Sequence, residues 1–576
     1  MRSGLIELGF LACVGSRWCE VPKWAARRSL PAEPPAATGA TSSATSLGEP
    51  MGLTKRIGRG SSVRRTKRTA PGRRSFQRRS TPGRIPNRER SVTSPHADRR
   101  ARWLPSLGDV LAARALLALA FLPILSEDLW LHWAIGRAMR AFGGIPRVHP
   151  LDLGSGARSE PVGADLASWA WEPHEWLFQW GGAFALDLVA GVWPAVLLRA
   201  LAAALVAGLF WAIARRRGAS TLVAVGLTLI AFQAVSPALA ERPGLATAVG
   251  IPLVLWGIER RRVVWLIPVF LLWANLHAGV IAGLGILVAL APRSQWRWVW
   301  LCLLGTCIAP RGPAGLWEPL LEVAKAPVAL LDEWRPPDFK GVWGVCCALL
   351  SSLGLVAAFR GATPIRAVMV FLISLAAFLH AQRHVVLFAP IALWLLAGVA
   401  GHSGWLWRPA LEEVVSRARG RYLTPIAALV AAWSLVGGGE RLESWEASRF
   451  PREIVGVLRD GPEMPGPIFA DYRWGGYLVC RLGERVQVFV DGSMRQGPEA
   501  LEYYLAVHRG EQKPPPGYRV LTSPGSPLAS RLLGEGWEVE EAEPSGVLLG
   551  QRGSGSGEIP RMDLGAQDDK SRAIIP

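Results

Sequence analysis

The stretch VVWLIPVFLLWANLHAGVIAGLGILVALAP, residues 263–292, decides how this chain is folded. Asn275 and His277 are its polar residues, and everything else in it is apolar, Gly or Pro. Read without a break, it is one long tilted helix that crosses a bilayer once. Read with a break near Asn275, it is two short helices, 263–275 and 277–292, that cross twice. Each half is shorter than the roughly 20 residues of a full crossing. The choice reverses the side on which every later loop lies.

Similar apolar runs continue in both directions from this stretch. With the break, eleven spans are expected, at about 107–126, 183–213, 219–238, 244–259, 263–275, 277–292, 298–310, 341–358, 367–381, 384–400 and 422–437. Charge favours the break. The inner loops then hold 14 Arg (215–217, 260–262, 293, 297, 360, 366, 408, 417, 419 and 421) against Glu259, Glu412 and Glu413. The longer outer loops hold 10 Lys+Arg and 13 Asp+Glu. Lys and Arg are retained on the cytoplasmic side of a membrane, so this asymmetry sets the orientation. An unbroken helix would put the acidic loop 311–340 inside.

The 576 residues include 27 Trp and are 50% hydrophobic, which fits a polytopic membrane protein better than a soluble one. The net charge of +19 is unevenly spread. Residues 1–105 carry 22 Lys+Arg and 6 Asp+Glu, and this Arg-, Ser- and Pro-rich head is expected to be a disordered cytoplasmic tail. Its run RRTKRTAPGRRSFQRRS has the look of a nucleic-acid or anionic-lipid patch, but the bland tail is preferred and no nucleic acid is expected as a partner. Met51 is an in-frame alternative start. The membrane domain is expected over 106–438, and a soluble α/β domain over 439–552 on the periplasmic side. A disordered tail follows at 553–576. Within the α/β domain, PREIVGVLRD and SPLASRLLGEG read as helices, and PIFADY, VQVFVD and RVLTS as strands.

Seven scattered Cys without a Cys-x-x-Cys give no disulfide framework or zinc motif. No Walker loop, GxGxxG fingerprint or GxSxG elbow is present. Chemistry gathers instead at the outer ends of the spans. The first outer loop, 127–182, opens with Glu127-Asp128. It continues as LWLHWAIGRAMRAFG, with Leu129, His132, Trp133, Gly136, Met139 and Arg140 spaced like one face of an interfacial helix. WAWEPHEWLFQW follows, with Glu172, His174 and Glu175. Other outer ends carry Glu241-Arg242, Asn275 and His277, Arg311, Asp332-Glu333-Trp334-Arg335, and His380, Arg383 and His384.

Ionisable groups at membrane depth usually face a cavity or a partner. Carboxylates, His and Arg on one side can form an acid/base site with an anion clamp. Each group also has a plainer reading. Glu127 and Asp128 can simply end a helix at the water interface, His132 and His174 can be satisfied interfacial side chains, Glu241-Arg242 can be a local ion pair, and Arg383 can snorkel to headgroups. Asp128, His132, His174 and Glu175 could converge on a metal, although no spacing is diagnostic. In the distal domain, Gly475-Gly476 suggests a tight turn. Asp471, Tyr472, Trp474, Asp491 and Arg495 could line an acceptor surface, with turn and packing roles as the plainer reading.

The order of these blocks resembles that of bacterial C-type (GT-C) glycosyltransferase-like membrane proteins, of the polyprenyl-phosphate-dependent and dolichyl-phosphate-mannose transferase type. The likeness runs from the acidic pair, W-x-H-x-x-x-G, G-x-I-P and H-E-W-L of the first outer loop through ERPGLATAV, WANLHAGVIAGL, APRGPAGLWEPL, LDEWRPPDF and HAQRHVVLFAPI. It continues into IFADYRWGGYLVCRL and VFVDGSMRQGPEALEYYLAV, covering about 107–550. Departures are Ala278 where Gly is expected, Arg311 where Asn-Pro-Tyr is common, and Glu-Asp after Ser126 in place of an Asp-x-Trp context with Pro.

The resemblance implies an all-α GT-C-like bundle of about eleven transmembrane helices in the bacterial inner membrane, with a periplasmic site. It implies transfer of a sugar from a polyprenyl-phosphate carrier to a glycan, lipid or protein acceptor. Asp128 carries over as candidate base, with Glu127 beside it. Chemistry places His132, His174, Glu175, Arg242, His277, Arg311, Glu333, Arg383 and His384 as substrate-binding candidates. No definite cofactor is implied, and a divalent ion, magnesium or manganese, is optional. Transport of a lipid-linked substrate and a non-catalytic scaffold or sensor are the alternatives. A transporter needs polar groups at mid-membrane, and the spans hold few.

Overall fold

The computed structural model describes residues 126–146, 149, 151, 174–189, 191–316, 332–360, 363–402, 438–461, 466–492 and 497–551. The basic head, the C-terminal tail, most of span 107–126, span 422–437, Glu172 and Arg495 lie outside the described residues.

Two helices from the first loop come first, α1 (Asp128–Phe142) and α2 (Trp176–Val189). Gly143 ends α1 at φ 80, a left-handed position that suits Gly. Leu129, Trp130, Leu131, Trp133, Ala134, Ile135 and Met139 of α1 are all buried, so the helix is packed on more than one side. Its approach to α2 is very close. A Cβ on Gly136 would lie 2.0 Å from the Gln179 carbonyl oxygen and 2.6 Å from the Ala183 Cβ. Overpacking a core costs about 1–3 kcal/mol where side chains can move aside, and here the obstacle is backbone. Gly136→Leu is therefore expected to part the two helices and lower the thermal midpoint in detergent by several degrees. Gly181→Ala, with nothing within 4 Å of its Cβ, should leave it nearly unchanged.

The expected span 183–213 is two elements. Residues 183–189 belong to α2, and α3 (Trp193–Arg216) begins afresh with Pro194 in its first turn. Asp187 explains the separation. It binds Arg137 and Arg140 of α1 at 2.7 and 2.8 Å, which ties this end of α2 to the first loop.

The bundle continues with α4 (Thr221–Val235), capped by Ser220 and extended by a 3-10 turn to Leu239. Next come α5 (Leu245–Glu259), α6 (Ile267–Ala274), α7 (Val280–Leu290) and α8 (Trp296–Thr306). After the 332–340 segment come α9 (Gly341–Phe359), α10 (Ile365–His380) and α11 (Val385–His402). Among the described residues four helices are long and apolar enough to cross a membrane: Trp193–Arg216, Thr221–Leu239, Gly341–Phe359 and Gln382–Gly401. The shorter apolar helices, Leu245–Glu259, Val263–Ala274, Val280–Leu290 and Ile365–His380, pack among them. Exposed apolar side chains recur every three or four residues, as in Val342, Val345, Leu349, Leu353 and Val356. Such stripes suit a hydrocarbon solvent.

The 263–292 run is broken at Asn275. The Asn275 amide nitrogen donates to the carbonyls of Leu271 and Ile308, both at 2.9 Å, and its oxygen accepts from Trp176 Nε1 at 2.8 Å. The start of α6 lies against α5, where Leu266 would meet a Cβ on Gly257 at 2.9 Å, and its end lies beside Ile308. Gly305 of α8 faces Ile267 and Leu271, so α8 runs the same way as α6. Helix α7 must therefore return between them, as the broken reading requires. At the opposite rim, Arg217 pairs with Glu259 and stacks on Trp394, whose Nε1 donates to Glu259 at 2.8 Å.

The distal part begins with α12 (Gly438–Arg449) and α13 (Arg452–Asp460). Then follow β1 (Gly466–Ala470), α14 (Gly475–Leu482), β2 (Val486–Val488), α15 (Gly497–Arg509), β3 (Arg519–Thr522), α16 (Pro527–Gly534), β4 (Trp537–Ala542) and β5 (Val547–Gln551). The sheet order is β2-β1-β3-β5-β4, parallel through the first three strands and antiparallel after them. Gly475-Gly476 is not a tight turn. It opens α14, and a Cβ on Gly476 would lie 2.9 Å from the Leu131 Cβ of α1. Trp130 of α1 meets Phe450 and Tyr477 edge-on, so the sheet part shares one apolar core with the first loop.

Candidate functional site

One rim of the bundle collects charge from four chain segments. Asp128 opens α1 with its side chain 49% exposed, so a substrate can reach it. Arg242, in the turn before α5, approaches Asp128 at 3.8 Å and binds Glu333 at 2.7 Å. Glu333 also takes Arg383 at 3.0 Å, and Arg383 stacks on Trp334 at 4.2 Å. The result is a row of alternating charge: Asp128, Arg242, Glu333, Arg383. The expected local pair Glu241-Arg242 does not form this way, because Glu241 turns inward to Arg199 while Arg242 turns outward.

A second group lies beside the first. Glu175, just before α2, is approached by His174 at 3.6 Å, His132 at 3.9 Å and His277 at 4.0 Å. His277 Nδ1 accepts the Gly279 N–H at 3.0 Å and sits 2.7 Å from Thr247 Oγ1. With Nδ1 an acceptor, the proton of the neutral ring belongs on Nε2, facing Glu175. Burial pushes the Glu175 carboxyl up, but the His174 hydrogen bond and the three rings more than reverse this and hold it down at about 2. Burial lowers His277 to about 4, against the pull of Glu175.

Both groups bind protons more weakly in the folded chain than unfolded, so both contribute stability at neutral pH that is lost on acidification. The His277 share is lost as pH falls from about 6.5 toward 4, and the Glu175 share from about 4.5 toward 2. The thermal midpoint is expected to fall between pH 7 and pH 5, and His277→Asn to flatten that fall. Intrinsic Trp fluorescence during heating measures it, and an unchanged slope in the variant contradicts the assignment.

The remaining expected site residues are placed differently. Glu127 faces the distal part, with Arg449 at 3.8 Å. Burial raises it to about 7, with Arg473 and Arg449 opposing. His384 turns its Nδ1 to the Ala377 carbonyl at 2.9 Å and its ring to Trp334. Arg311 is exposed beyond α8. Asp471 accepts from the Arg473 N–H at the start of a short 3-10 turn, Trp474 is buried, and Asp491 is 1% exposed beside Gly475. Sequence reading missed Asp187, Arg199 and Thr247. Asp187 and Arg199 stood inside an apolar run, and the charge of each was the signal that could have found them.

Among the described residues no group of three or more His, Cys, Asp or Glu is set to hold a metal ion. His277 carries its proton on the nitrogen that would ligate, and Asp128 and Glu333 already face the Arg242 cation. Under the loop an apolar cavity of about 320 Å³ is lined by Leu129, Trp133, Phe178, Leu186, Leu198 and Leu276, with His132 on its wall.

No protein-family description and no curated protein matches this chain. Among solved structures it is similar to the crystal structure of ArnT from Cupriavidus metallidurans bound to undecaprenyl phosphate. That match has a TM-score of 0.42 and 14% identity, and covers 77% of this chain and 97% of that one. A likeness this distant leaves the chemistry to be argued from the residues.

Proposed function

We propose that this chain is an integral membrane glycosyltransferase of GT-C-like architecture. It would move a sugar from a polyprenyl-phosphate carrier to an acceptor on the periplasmic side of a bacterial inner membrane. One observation carries the reading: a half-exposed carboxylate, Asp128, stands 3.8 Å from an arginine that belongs to a two-arginine row on Glu333. The order of sequence blocks adds to it.

The chemistry follows from that row. An acceptor hydroxyl gives its proton to Asp128 as its oxygen bonds to the anomeric carbon. The bond from that carbon to the phosphate oxygen breaks, and the lipid phosphate leaves with the electron pair. Arg242 and Arg383 stabilise its charge, exchanging their contacts with Glu333 for contacts with phosphate. The apolar cavity beside His132 offers hydrocarbon surroundings for the carrier's first prenyl units.

The test uses the purified full chain in liposomes with radiolabelled polyprenyl-phosphate sugars and a membrane extract as acceptor source. Label is expected to leave the polyprenyl phosphate only when the chain is present. Retention of all label on every donor, with the chain folded by its thermal transition, would falsify the reading and favour a scaffold.

A further inference from the structure

Arg199 is a charged residue deep in an otherwise apolar helix, and the mechanism above does not use it. It sits in the second turn of α3, about 9 Å along the helix from Trp193, and is 0% exposed. Its partner Glu241 is 1% exposed, and the two form an ion pair. Burying both charges is costly, and apolar side chains of similar volume often do as well or better for stability. A stability role is therefore a poor account of the pair.

Connectivity gives a better one. Glu241 Oε2 also accepts the backbone N–H of Ser126 at 3.3 Å. Ser126 lies two residues before Asp128, and Glu241 lies one residue before Arg242. A single buried carboxylate thus ties the segment that presents the carboxylate to the turn that presents the guanidinium. Arg199 fixes that carboxylate to the wall of the bundle.

We propose that Arg199 and Glu241 are positioning residues that set Asp128 against Arg242. This rests on the reading of Asp128 and Arg242 as the working pair, and the test separates the two ideas. A displacement of about 1 Å in such a pair costs on the order of 100-fold in rate.

The experiment compares wild type with Arg199→Lys, Arg199→Met and the double variant Arg199→Met/Glu241→Leu. The double variant removes both buried charges, so it folds even where a single change leaves one charge stranded. Two readouts are taken on the full chain in detergent. The first is amide hydrogen exchange over 126–131, with α11 as reference, and it needs no activity. Exchange there is expected to rise at least about tenfold in the double variant and α11 to stay protected, since opening of the tied segment becomes local. The second is sugar transfer, where kcat is expected to fall about 100-fold with little change in donor KM, and Arg199→Lys to recover part of it. Wild-type exchange over 126–131 in the double variant overturns the proposal, whether or not the chain transfers sugar. Faster exchange in a chain that transfers nothing keeps the tether and removes only the glycosyltransferase reading.

Discussion

Asp128→Asn is expected to lower kcat for sugar transfer by about 10²–10⁴-fold, the range that a positioned acid or base contributes. The substitution keeps the shape of the side chain and removes its charge and its capacity to take a proton. Stability should change little, because the side chain is 49% exposed and its approach to Arg242 is a loose 3.8 Å. Exposed pairs contribute about 0–1 kcal/mol. Donor KM should also change little, since Arg242 keeps Glu333 at 2.7 Å and Arg383 stays in place. A fall in kcat and in kcat/KM by the same factor marks a contact made only in the transition state. A variant that matches wild type in an active chain means that Asp128 is not the base. Glu127→Gln is the companion measurement. Glu127 turns toward Arg449 and the distal part, so its loss should not reproduce the kcat effect.

Much of this arrangement was legible in the sequence, and what was not has physical reasons. The break at Asn275 followed from counting Arg on either side of each span. Charge asymmetry is a property of many residues at once, so it does not depend on any single one of them. His132, Glu175, Arg242, His277, Glu333 and Arg383 stood out in the sequence because an ionisable residue next to an apolar run is conspicuous, and the structure brings them to one rim. What the sequence did not give was their pairing. Glu241 and Arg242 are neighbours, yet one faces inward to Arg199 and the other outward to Glu333. That divergence arises where the chain leaves its 3-10 turn and reaches Ala240 in extended backbone, which no periodicity reveals. The span 183–213 failed for a related reason. Hydropathy averages over a window, and Asp187 is diluted by its neighbours although it binds two Arg of α1. Strands β4 and β5 escaped because the alternation in WEVEEA lasts only four residues and VLLGQ is a short apolar run, which periodicity alone does not separate from a helix segment.

Arg242→Met is expected to raise donor KM by roughly 30-fold, equivalent to about 2 kcal/mol of binding, the lower end for truncating one member of a partly buried charge pair. The lower end applies because Arg242 and Glu333 are each about a third exposed. A double-mutant cycle separates the clamp from simple packing. Arg242→Met leaves Glu333 with Arg383 at 3.0 Å, so the row keeps one neutralised carboxylate and loses one of its two phosphate donors. Glu333→Gln does the reverse and leaves two guanidinium groups without the carboxylate between them. In that variant the site is more positive before substrate arrives, so an anionic donor should bind more tightly. Product phosphate should also leave more slowly, giving a lower KM together with a lower kcat. The two effects on KM thus have opposite signs. Contacting residues of this kind couple by about 0.5–3 kcal/mol. Arg242→Lys should recover only part of the loss, because an ammonium is a point charge and cannot present the planar guanidinium fork to the phosphate. If Arg242→Met and Glu333→Gln instead shift KM in the same direction and add without coupling, the two side chains do not act as one anion clamp, and the row is an ion network that holds the 332–335 segment to the bundle.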